Sequence, residues 1–545
     1  MLSRIFNSQS KTVTFAASLL ALSALVSRFL GLIRDRLLAG HFGAGEELDV
    51  YFAAFRIPDF VYGILIVGGI SAAFLPVFSQ YFQSDKERAW KFANNALNCF
   101  FLLLVVVCLV LAFLAPWLIK FISPGFSLAN KELTVALTRI MFLSPLFFGL
   151  SSVFSGLLHY FNRFLAYSLV PIAYNLGIIF GILFLVPRFG VYGLAYGVIL
   201  GAALHWLLQW PAVKASGYRY QPIFDFKEAG LVKVFKLMVP RTIGAISYQV
   251  NLVVITAIAS TLGAGSIAIF NFANNLQYFP VGLVGVSFSL AVFPILSQAF
   301  SAGKKEEFAS VFSATFRQIL FLIIPISILV FVLRAQIVRL VLGTGEFGWL
   351  ETRLTAASLG IMALSVFAAS FVLFLARVFY SLHDTKTPLL ASLLSMGLNV
   401  LLCFCLVFFL SFPNFFQELV VDSLRLTDIT DVRLIGLPLA LSLSSVCQFL
   451  LLLFFLKKKM GDLAGQEILR SFGKIMLAGF LMVPALYLAL YALAAFLNTN
   501  TTLGIFIQTA FSALVGLAVY LLLTSRLKSP EIKIIQSSLV GQFKK

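Results

Sequence analysis

Apolar runs of about twenty residues or more recur along the whole chain, separated by short polar or charged stretches. A helix of that length crosses a hydrocarbon core of about 30 Å, because each residue adds about 1.5 Å. The second run contains Pro58 and the pair Gly68 and Gly69, which are usual causes of a bend. The pattern predicts about fourteen transmembrane helices, at residues 13–38, 48–81, 92–119, 133–160, 164–186, 191–210, 239–262, 267–300, 312–333, 354–379, 389–412, 434–456, 475–496 and 502–523.

The composition supports an all-α polytopic membrane protein. Of the 545 residues, 60% are hydrophobic and 11% charged, and the mean hydropathy is +0.99. The net charge of +18 would also suit a nucleic-acid-binding protein, but Lys and Arg occur in short clusters between the spans, where they orient the chain and meet anionic lipid headgroups. We therefore expect membrane lipids and no nucleic acid as partners. The five cysteines lie inside apolar runs and the four histidines are scattered, so no metal or cofactor is expected.

The distribution of basic residues predicts the orientation of the chain. Lys and Arg concentrate in alternate loops and in both terminal tails, including the linker 214–236 and the cluster 457–459. The intervening loops are acidic or neutral. By the positive-inside rule, an even number of spans places both termini in the cytoplasm.

Two pairs of short motifs indicate an internal repeat. F-G-A-G at 42–45 and L-P-V-F-S-Q at 75–80 correspond to L-G-A-G at 262–265 and F-P-I-L-S-Q at 293–298, at an offset of about 220 residues. Six predicted spans separate the copies, so the halves share one topology, a plan found in transporters with parallel repeats. The predicted organisation is an N-lobe at 1–213, a cytoplasmic linker at 214–236, a C-lobe at 237–459, and a C-terminal helix pair with a basic tail at 460–545.

Charged residues near the end of the first apolar run form the main candidate site. In the stretch S-R-F-L-G-L-I-R-D at 27–35, Arg28, Arg34 and Asp35 share one stripe of a helix with Ser27. Charge is costly in hydrocarbon, so we expect this stripe to face the interior of the protein or a watery cavity. The alternative for Arg34 and Asp35 is an interfacial position at the end of a span.

Further charged candidates lie at Asp49, Arg56, Arg241 and Arg377. The set is mostly basic, and a guanidinium presents a fixed fork of donors that suits a phosphate or diphosphate. Arg241 and Arg377 would equally serve as cytoplasmic anchors. No G-x-x-x-x-G-K-[ST] motif is found. The only acidic group that would suit an enzyme is Asp422, Asp428 and Asp431, and its spacing is typical of a solvated loop. We therefore expect a transporter of an anionic headgroup that is neither an ATPase nor another enzyme.

Together with F-Y-S-L-H-D-T-K-T-P at 379–388, these motifs resemble the MurJ/MviN family, lipid II flippases of the multidrug/oligosaccharidyl-lipid/polysaccharide exporter superfamily. The resemblance implies a V-shaped pair of six-helix lobes, with an added helix pair that forms a lipid-access groove. It also implies alternating access that carries a lipid-linked peptidoglycan precursor outward across the bacterial inner membrane, with the coupling ion left open. Family cavity residues correspond to Arg28, Arg34, Asp35 and Asp49.

The sequence departs from the family pattern at two positions. Tyr62 and Asn275 stand where the family usually has arginines that bind the anionic headgroup. Arg56, Arg241 or Arg377 would compensate, since a long side chain reaches several ångströms. The departure leaves two alternatives open, a flippase for another polyprenyl-linked oligosaccharide and a non-transporting membrane scaffold of cell-wall synthesis.

Overall fold

The computed structural model describes residues 13–461, 463–499 and 501–532, and gives the backbone but not the side chains of 13–17, 67–72 and 239–245. The described part of the chain is helical and contains no β-strand. Its α-helices, in order, are Val13–Phe42, Glu46–Val61, Ser71–Ser84, Lys86–Ile122, Leu128–Met141, Leu143–Tyr160, Phe164–Phe180, Val186–Phe189, Tyr192–Leu207, Trp210–Ala215, Ala229–Ala259, Ser266–Pro280, Ser287–Ser301, Lys305–Val332, Arg334–Val341, Trp349–Ala363, Val366–Ser381, Lys386–Phe409, Phe415–Leu424, Gly436–Met460, Gly465–Ala494 and Thr502–Arg526.

Within the described residues, ten helical segments are long and apolar enough to cross a membrane. An eleventh span results if Trp349–Ala363 and Val366–Ser381, which meet at a bend of 47°, count as one. The other three predicted spans correspond to helices that carry charge or are bent, namely Val13–Phe42, the segment from Glu46 to Ser84, and Ala229–Ala259. The all-α polytopic class is confirmed, and the number fourteen stays a prediction.

The predicted bend in the second span coincides with a π-helical segment, Tyr62–Ile70, that follows Pro58. Two further π-helical segments are Gly181–Leu185 and Val281–Val286, and the latter follows Pro280 in the corresponding span of the other half. Tyr62–Ile70 and Val281–Val286 begin about 220 residues apart, which is the offset of the sequence repeat. Wide turns of this kind inside α-helices are uncommon, so their matched positions support the repeat.

The chain divides into two compact units, 1–268 and 269–545. In the first unit, helix Ala229–Ala259 packs against the π-helical segment Tyr62–Ile70 and helix Ser71–Ser84. The division falls inside the second copy of the repeat, because 262–265 belongs to the first unit. The lobe boundaries suggested by the repeat therefore remain a prediction.

Each unit has a core of buried aromatic side chains. In the first unit, the rings of Phe74 and Phe92 stack with their centroids 5.6 Å apart. In the second unit, Phe316 and Phe371 stack at 4.2 Å. Within a membrane, close packing of this kind, and not expulsion of water, holds helices together.

The ends of the predicted linker 214–236 are helical, because Trp210–Ala215 and Ala229–Ala259 extend into it. The non-helical part between them, which we continue to call the linker, is hydrogen-bonded to helix Lys86–Ile122. Asn95 pairs with the backbone of Asp225, because its Nδ2 donates to the carbonyl oxygen and its Oδ1 accepts from the N–H, each at 2.7 Å. Asn94 and Asn98, on the same helix, also bond backbone groups of the linker. All three asparagines are buried, whereas most of the linker residues that they bond are exposed, so these hydrogen bonds hold an exposed segment against the helix.

Replacing Asn95 with Ala should lower the apparent unfolding temperature of the purified protein in detergent. Two backbone groups of Asp225 would lose their partners, at about 0.5–1.5 kcal/mol for each hydrogen bond. Asn130→Ala is the control, since the amide of Asn130 makes an exposed hydrogen bond to Glu46. Equal effects of the two changes would contradict the proposed importance of the linker contacts.

Hydrogen bonds of Asp384 also connect the loop before helix Lys386–Phe409 to the end of helix Gly436–Met460. Asp384 accepts from Thr387 N at 3.0 Å, from Thr387 Oγ1 at 2.8 Å and from Lys459 Nζ at 2.6 Å. Partial burial alone would raise the pKa of Asp384, but these hydrogen bonds outweigh it and lower the pKa from 3.8 to about 2. The ionised carboxylate therefore contributes to stability at neutral pH.

The pH dependence of this contribution follows from the sign of the shift. A lowered folded-state pKa gives stability that is present above the unfolded-state pKa and is lost as the pH falls through the folded-state pKa. We expect Asp384→Asn to unfold at a lower temperature than the wild type at pH 7, and the gap to close between pH of about 4 and about 2. Thermal unfolding of both proteins across that range measures it, and a gap that is constant with pH would refute the assignment.

Candidate functional site

The predicted polar stripe of the first helix forms a connected cluster inside the first unit. Arg34 donates from Nε and Nη2 to the same oxygen, Oδ1 of Asp35, at 3.0 and 2.8 Å. The side chain of Asp35 is 5% exposed and that of Arg34 is 23% exposed. The carboxylate is thus enclosed, whereas part of the guanidinium remains accessible.

Asn175, on helix Phe164–Phe180, completes this cluster. Its Oδ1 accepts from Arg34 Nη1 at 3.4 Å. Its Nδ2 donates to the hydroxyl and the carbonyl oxygen of Ser27, at 3.1 and 3.2 Å. Asn175 therefore joins two helices and orients Arg34. Asn175 and Asn399 occupy similar places in the two halves of the sequence, but the contact of Asn175 with Arg34 across 141 residues depends on how the helices pack and could not be predicted.

Arg28 lies two turns before Asp35 on the same helix and is half-buried. Positions seven apart fall close to one line along a helix, so Arg28 extends the stripe of Arg34 and Asp35. The structure thus brings together three of the predicted residues on the first helix.

Asp49 has a different environment. Its Oδ2 accepts from the N–H of Gly265 and its Oδ1 from the N–H of Ala268, both at 2.8 Å. These N–H groups belong to the start of helix Ser266–Pro280, whose first turn has no partners within the helix. Asp49 is 3% exposed and caps this helix from another part of the chain.

The two copies of the glycine motif meet at the same place. Gly265 has φ +84°, and a Cβ built on it would lie 1.9 Å from the carbonyl oxygen of Ala44. Only glycine fits this position, both because of its backbone conformation and because of the close approach. The last glycine of the second copy is therefore required by packing beside Asp49.

Arg56 is buried at 6% exposure. Its Nε donates to Thr256 Oγ1 at 2.7 Å, and that hydroxyl donates to the carbonyl oxygen of Leu252 at 2.8 Å. The contact joins helix Glu46–Val61 to helix Ala229–Ala259. Sequence reasoning did not find Thr256, because a single threonine in an apolar helix carries no recognisable signal.

The remaining predicted arginines are Arg377 and Arg241. Arg377, in the second unit, is half-buried, and its Cζ is 5.7 Å from the ring centroid of Phe293. Arg241 falls within 239–245, where side chains are not described. Of the two positions that depart from the family pattern, Tyr62 packs on Phe148 with ring centroids 4.8 Å apart, and Asn275 is half-buried on helix Ser266–Pro280.

The second unit contains two apolar cavities beside helix Gly465–Ala494. Their volumes are about 370 and 360 Å³. They have Phe367 and Phe472 in common, and the first also reaches Lys457. The two cavities therefore follow one face of this helix, with a basic side chain at one end.

A family model described as lipid II flippase MurJ matches residues 38–512 of the chain. The chain belongs to the MurJ family. A probable lipid II flippase MurJ of Buchnera aphidicola (subspecies Acyrthosiphon pisum) is 30% identical over 507 residues, which is 92% of this chain and 94% of that protein. The resemblance found in the sequence motifs is confirmed.

Solved structures give the same result for the fold. A lipid II flippase MurJ in an inward closed conformation superposes with a TM-score of 0.74 at 25% identity, covering 93% of this chain and 98% of that one. An inward-facing multidrug resistance MATE family transporter of the MOP superfamily gives a TM-score of 0.67 at 14% identity over 81% of this chain and 96% of that one. The second likeness shows the fold alone, and the MurJ family shares that fold.

The geometry at Asp49 generates a stability prediction. In Asp49→Asn, an NH₂ group would replace one oxygen and face an N–H of the helix start, so one buried hydrogen bond is lost, at about 1–3 kcal/mol. We expect a lower apparent unfolding temperature in detergent. Glu47→Gln, which removes the same charge from an exposed side chain of the same helix, should unfold like the wild type, and a normal unfolding temperature for Asp49→Asn would rule out the capping role.

Proposed function

We propose that this protein is a lipid II flippase, which moves the undecaprenyl-diphosphate-linked peptidoglycan precursor from the cytoplasmic to the outer leaflet of the bacterial inner membrane. The main support for this proposal is that the match to the MurJ family spans residues 38–512. The accessible guanidinium of Arg34 inside an apolar unit supports the same proposal, because charge in such a position marks a path for a polar group.

The diphosphate is the part of the precursor that Arg34 and Arg28 would bind. Asp35 occupies Nε and Nη2 of Arg34, whereas Nη1 makes only a long contact of 3.4 Å with Asn175. A phosphate oxygen would form a shorter, charge-assisted bond with that nitrogen. In this proposal Asp35 and Asn175 orient the guanidinium before the substrate arrives.

The other candidates have different roles within this proposal. Asp49 and Arg56 have buried polar partners, so we infer that they stabilise the arrangement of helices and do not touch the substrate. In this proposal, Arg377 and Arg241 would either contact the headgroup or serve as cytoplasmic anchors. Tyr62 and Asn275 stand in place of the family arginines, so in this proposal the residues that bind the diphosphate lie on the first helix.

The undecaprenyl tail would lie in the apolar cavities beside helix Gly465–Ala494. Those cavities are lined mainly by Phe, Leu, Ile and Val side chains, so an isoprenoid chain gains contacts there while its headgroup avoids the hydrocarbon. Conversion between inward-open and outward-open states would follow the repeat-based rocking of related transporters. Both termini would be cytoplasmic, and transport in this proposal would use neither a cofactor nor covalent chemistry.

A non-transporting scaffold is the second candidate, and the loss of arginine at Tyr62 and Asn275 is the observation that favours it. The same experiment separates the two. The protein is expressed in bacteria whose own lipid II flippase is depleted, and lipid II accessible from outside the cell is measured. A flippase restores growth and external lipid II, whereas a scaffold does not.

Within that assay, Arg34→Ala should reduce external lipid II about tenfold or more, because a hydrogen bond to a charged group contributes about 1.5–3 kcal/mol. Arg34→Lys should be intermediate, since an ammonium keeps the charge but loses the fork. Arg139→Gln is the matched control, because Arg139 makes an exposed contact with the Ala112 carbonyl oxygen. Full activity of Arg34→Ala at normal membrane levels would remove Arg34 from the transport path.

The tail site gives a second prediction. Val483 lines one apolar cavity, so Val483→Trp would fill much of its roughly 360 Å³ and should strongly lower external lipid II without lowering the unfolding temperature. Leu488→Trp is the control, because Leu488 lies on the same helix and is 73% exposed. Equal transport by the two variants would contradict a tail site in this cavity.

A further inference from the structure

A polar cavity of about 460 Å³ lies inside the first unit. Its volume is within the range of small-molecule sites, about 300–1,000 Å³. Its lining combines apolar groups with six polar side chains, namely Tyr62, Ser152, Ser155, His159, Tyr167 and His205. Neither the proposed diphosphate site nor the proposed tail site uses these residues.

Several polar groups of the cavity are available to a ligand. Among the described residues, no hydrogen-bond partner is found for the hydroxyls of Tyr62 and Tyr167 or for the ring nitrogens of His159. All three side chains are half-buried. A polar group held away from bulk water without a partner costs free energy, so a ligand that supplies hydrogen bonds here binds favourably.

A buried network prepares His205 as a donor. Gln209 Nε2 donates to Ser151 Oγ, and Ser155 Oγ donates to Gln209 Oε1 at 3.1 Å. Ser151 Oγ lies 2.6 Å from Nδ1 of His205. Because Ser151 already accepts from Gln209, its own proton favours His205 Nδ1, which leaves the hydrogen of the neutral imidazole on Nε2. His205 thereby keeps an N–H for a further partner.

Aromatic rings surround these polar groups. The rings of His159 and Tyr167 have centroids 4.2 Å apart, and Phe148 packs on both Tyr62 and His205, at 4.8 and 5.0 Å. The residues that line the cavity include no Lys, Arg, Asp or Glu. The lining therefore matches a neutral ligand with an apolar face and several hydroxyl groups.

We propose that this cavity binds a sugar ring of the lipid-linked precursor. The inference rests on the proposed function, and it names the part of the substrate that the cavity receives. The apolar C–H face of a sugar packs on aromatic rings, while its hydroxyls donate to and accept from Tyr, Ser and His side chains. The cavity lining has no Lys or Arg side chain to bind a diphosphate, so the diphosphate would bind at Arg34.

The proposal also accounts for Tyr62. A neutral ring at this position removes a charge from the cavity and adds both a stacking surface and a hydroxyl. The headgroup is then held in two parts, its sugar in the neutral cavity and its diphosphate at Arg34. A ligand without hydroxyls would leave the polar groups of the cavity unpaired and would therefore bind more weakly. This difference in affinity would make the cavity specific for a glycan.

The test is equilibrium binding to the purified full chain in lipid nanodiscs, with two probes, lipid II and undecaprenyl diphosphate without sugar. The double variant Tyr62→Phe with His159→Leu should bind lipid II about tenfold more weakly, because it loses two sites of hydrogen bonding. Its affinity for undecaprenyl diphosphate should equal that of the wild type. Tyr160→Phe is the matched control, since Tyr160 packs on Phe78 and Phe82 outside the cavity lining.

Each outcome decides the proposal. Unchanged lipid II affinity, or an equal loss for both probes in a variant with a normal unfolding temperature, would overturn the sugar site. A gain in undecaprenyl diphosphate affinity from pH 8 to pH 6 that His159→Leu abolishes would make the cavity an anion site and would also overturn it. If the wild type binds neither probe, the proposed function fails and this inference fails with it.

Discussion

The cost of placing charge among apolar helices constrains the whole first unit. Every charge that the fold encloses there needs a polar partner, or it would destabilise the protein by several kcal/mol or more. Asp35 meets this need with Arg34, Arg56 with the hydroxyl of Thr256, and Asp49 with two N–H groups of a helix start. The contacts of Arg56 and Asp49 join helices that are distant in sequence, so satisfying buried charge also helps to hold these helices together.

Arg34 differs from the other buried charges because its partners do not enclose it. Asp35 and Asn175 hold one edge of the guanidinium, and 23% of the side chain remains accessible. Such a group is oriented in advance and still available, which is what recognition of a mobile anionic headgroup requires. In the proposed account, Arg34, the neutral cavity at Tyr62 and the apolar cavities beside helix Gly465–Ala494 would bind the diphosphate, the sugar and the tail of the precursor, respectively.

The hydrophobic pattern was sufficient for the fold class, because spans of about twenty apolar residues have few alternatives in a membrane. It also located the bend near Tyr62 and the charged stripe of the first helix. It did not identify Asn175 or Thr256 as partners, since these contacts depend on helix packing. The capping role of Asp49 could not be predicted for a similar reason. Its partners are backbone groups 216 and 219 residues away, and every residue has such groups, so the sequence does not mark them.

Reconstitution tests the central claim most directly. Purified protein is placed in liposomes with fluorescent lipid II in both leaflets, and a membrane-impermeant quencher is added outside. A flippase makes the inner-leaflet lipid accessible, so fluorescence should fall well below the roughly half that remains in protein-free liposomes, and Arg34→Ala should keep the protein-free level. Fluorescence that stays at the protein-free level with the folded wild-type protein would contradict the account.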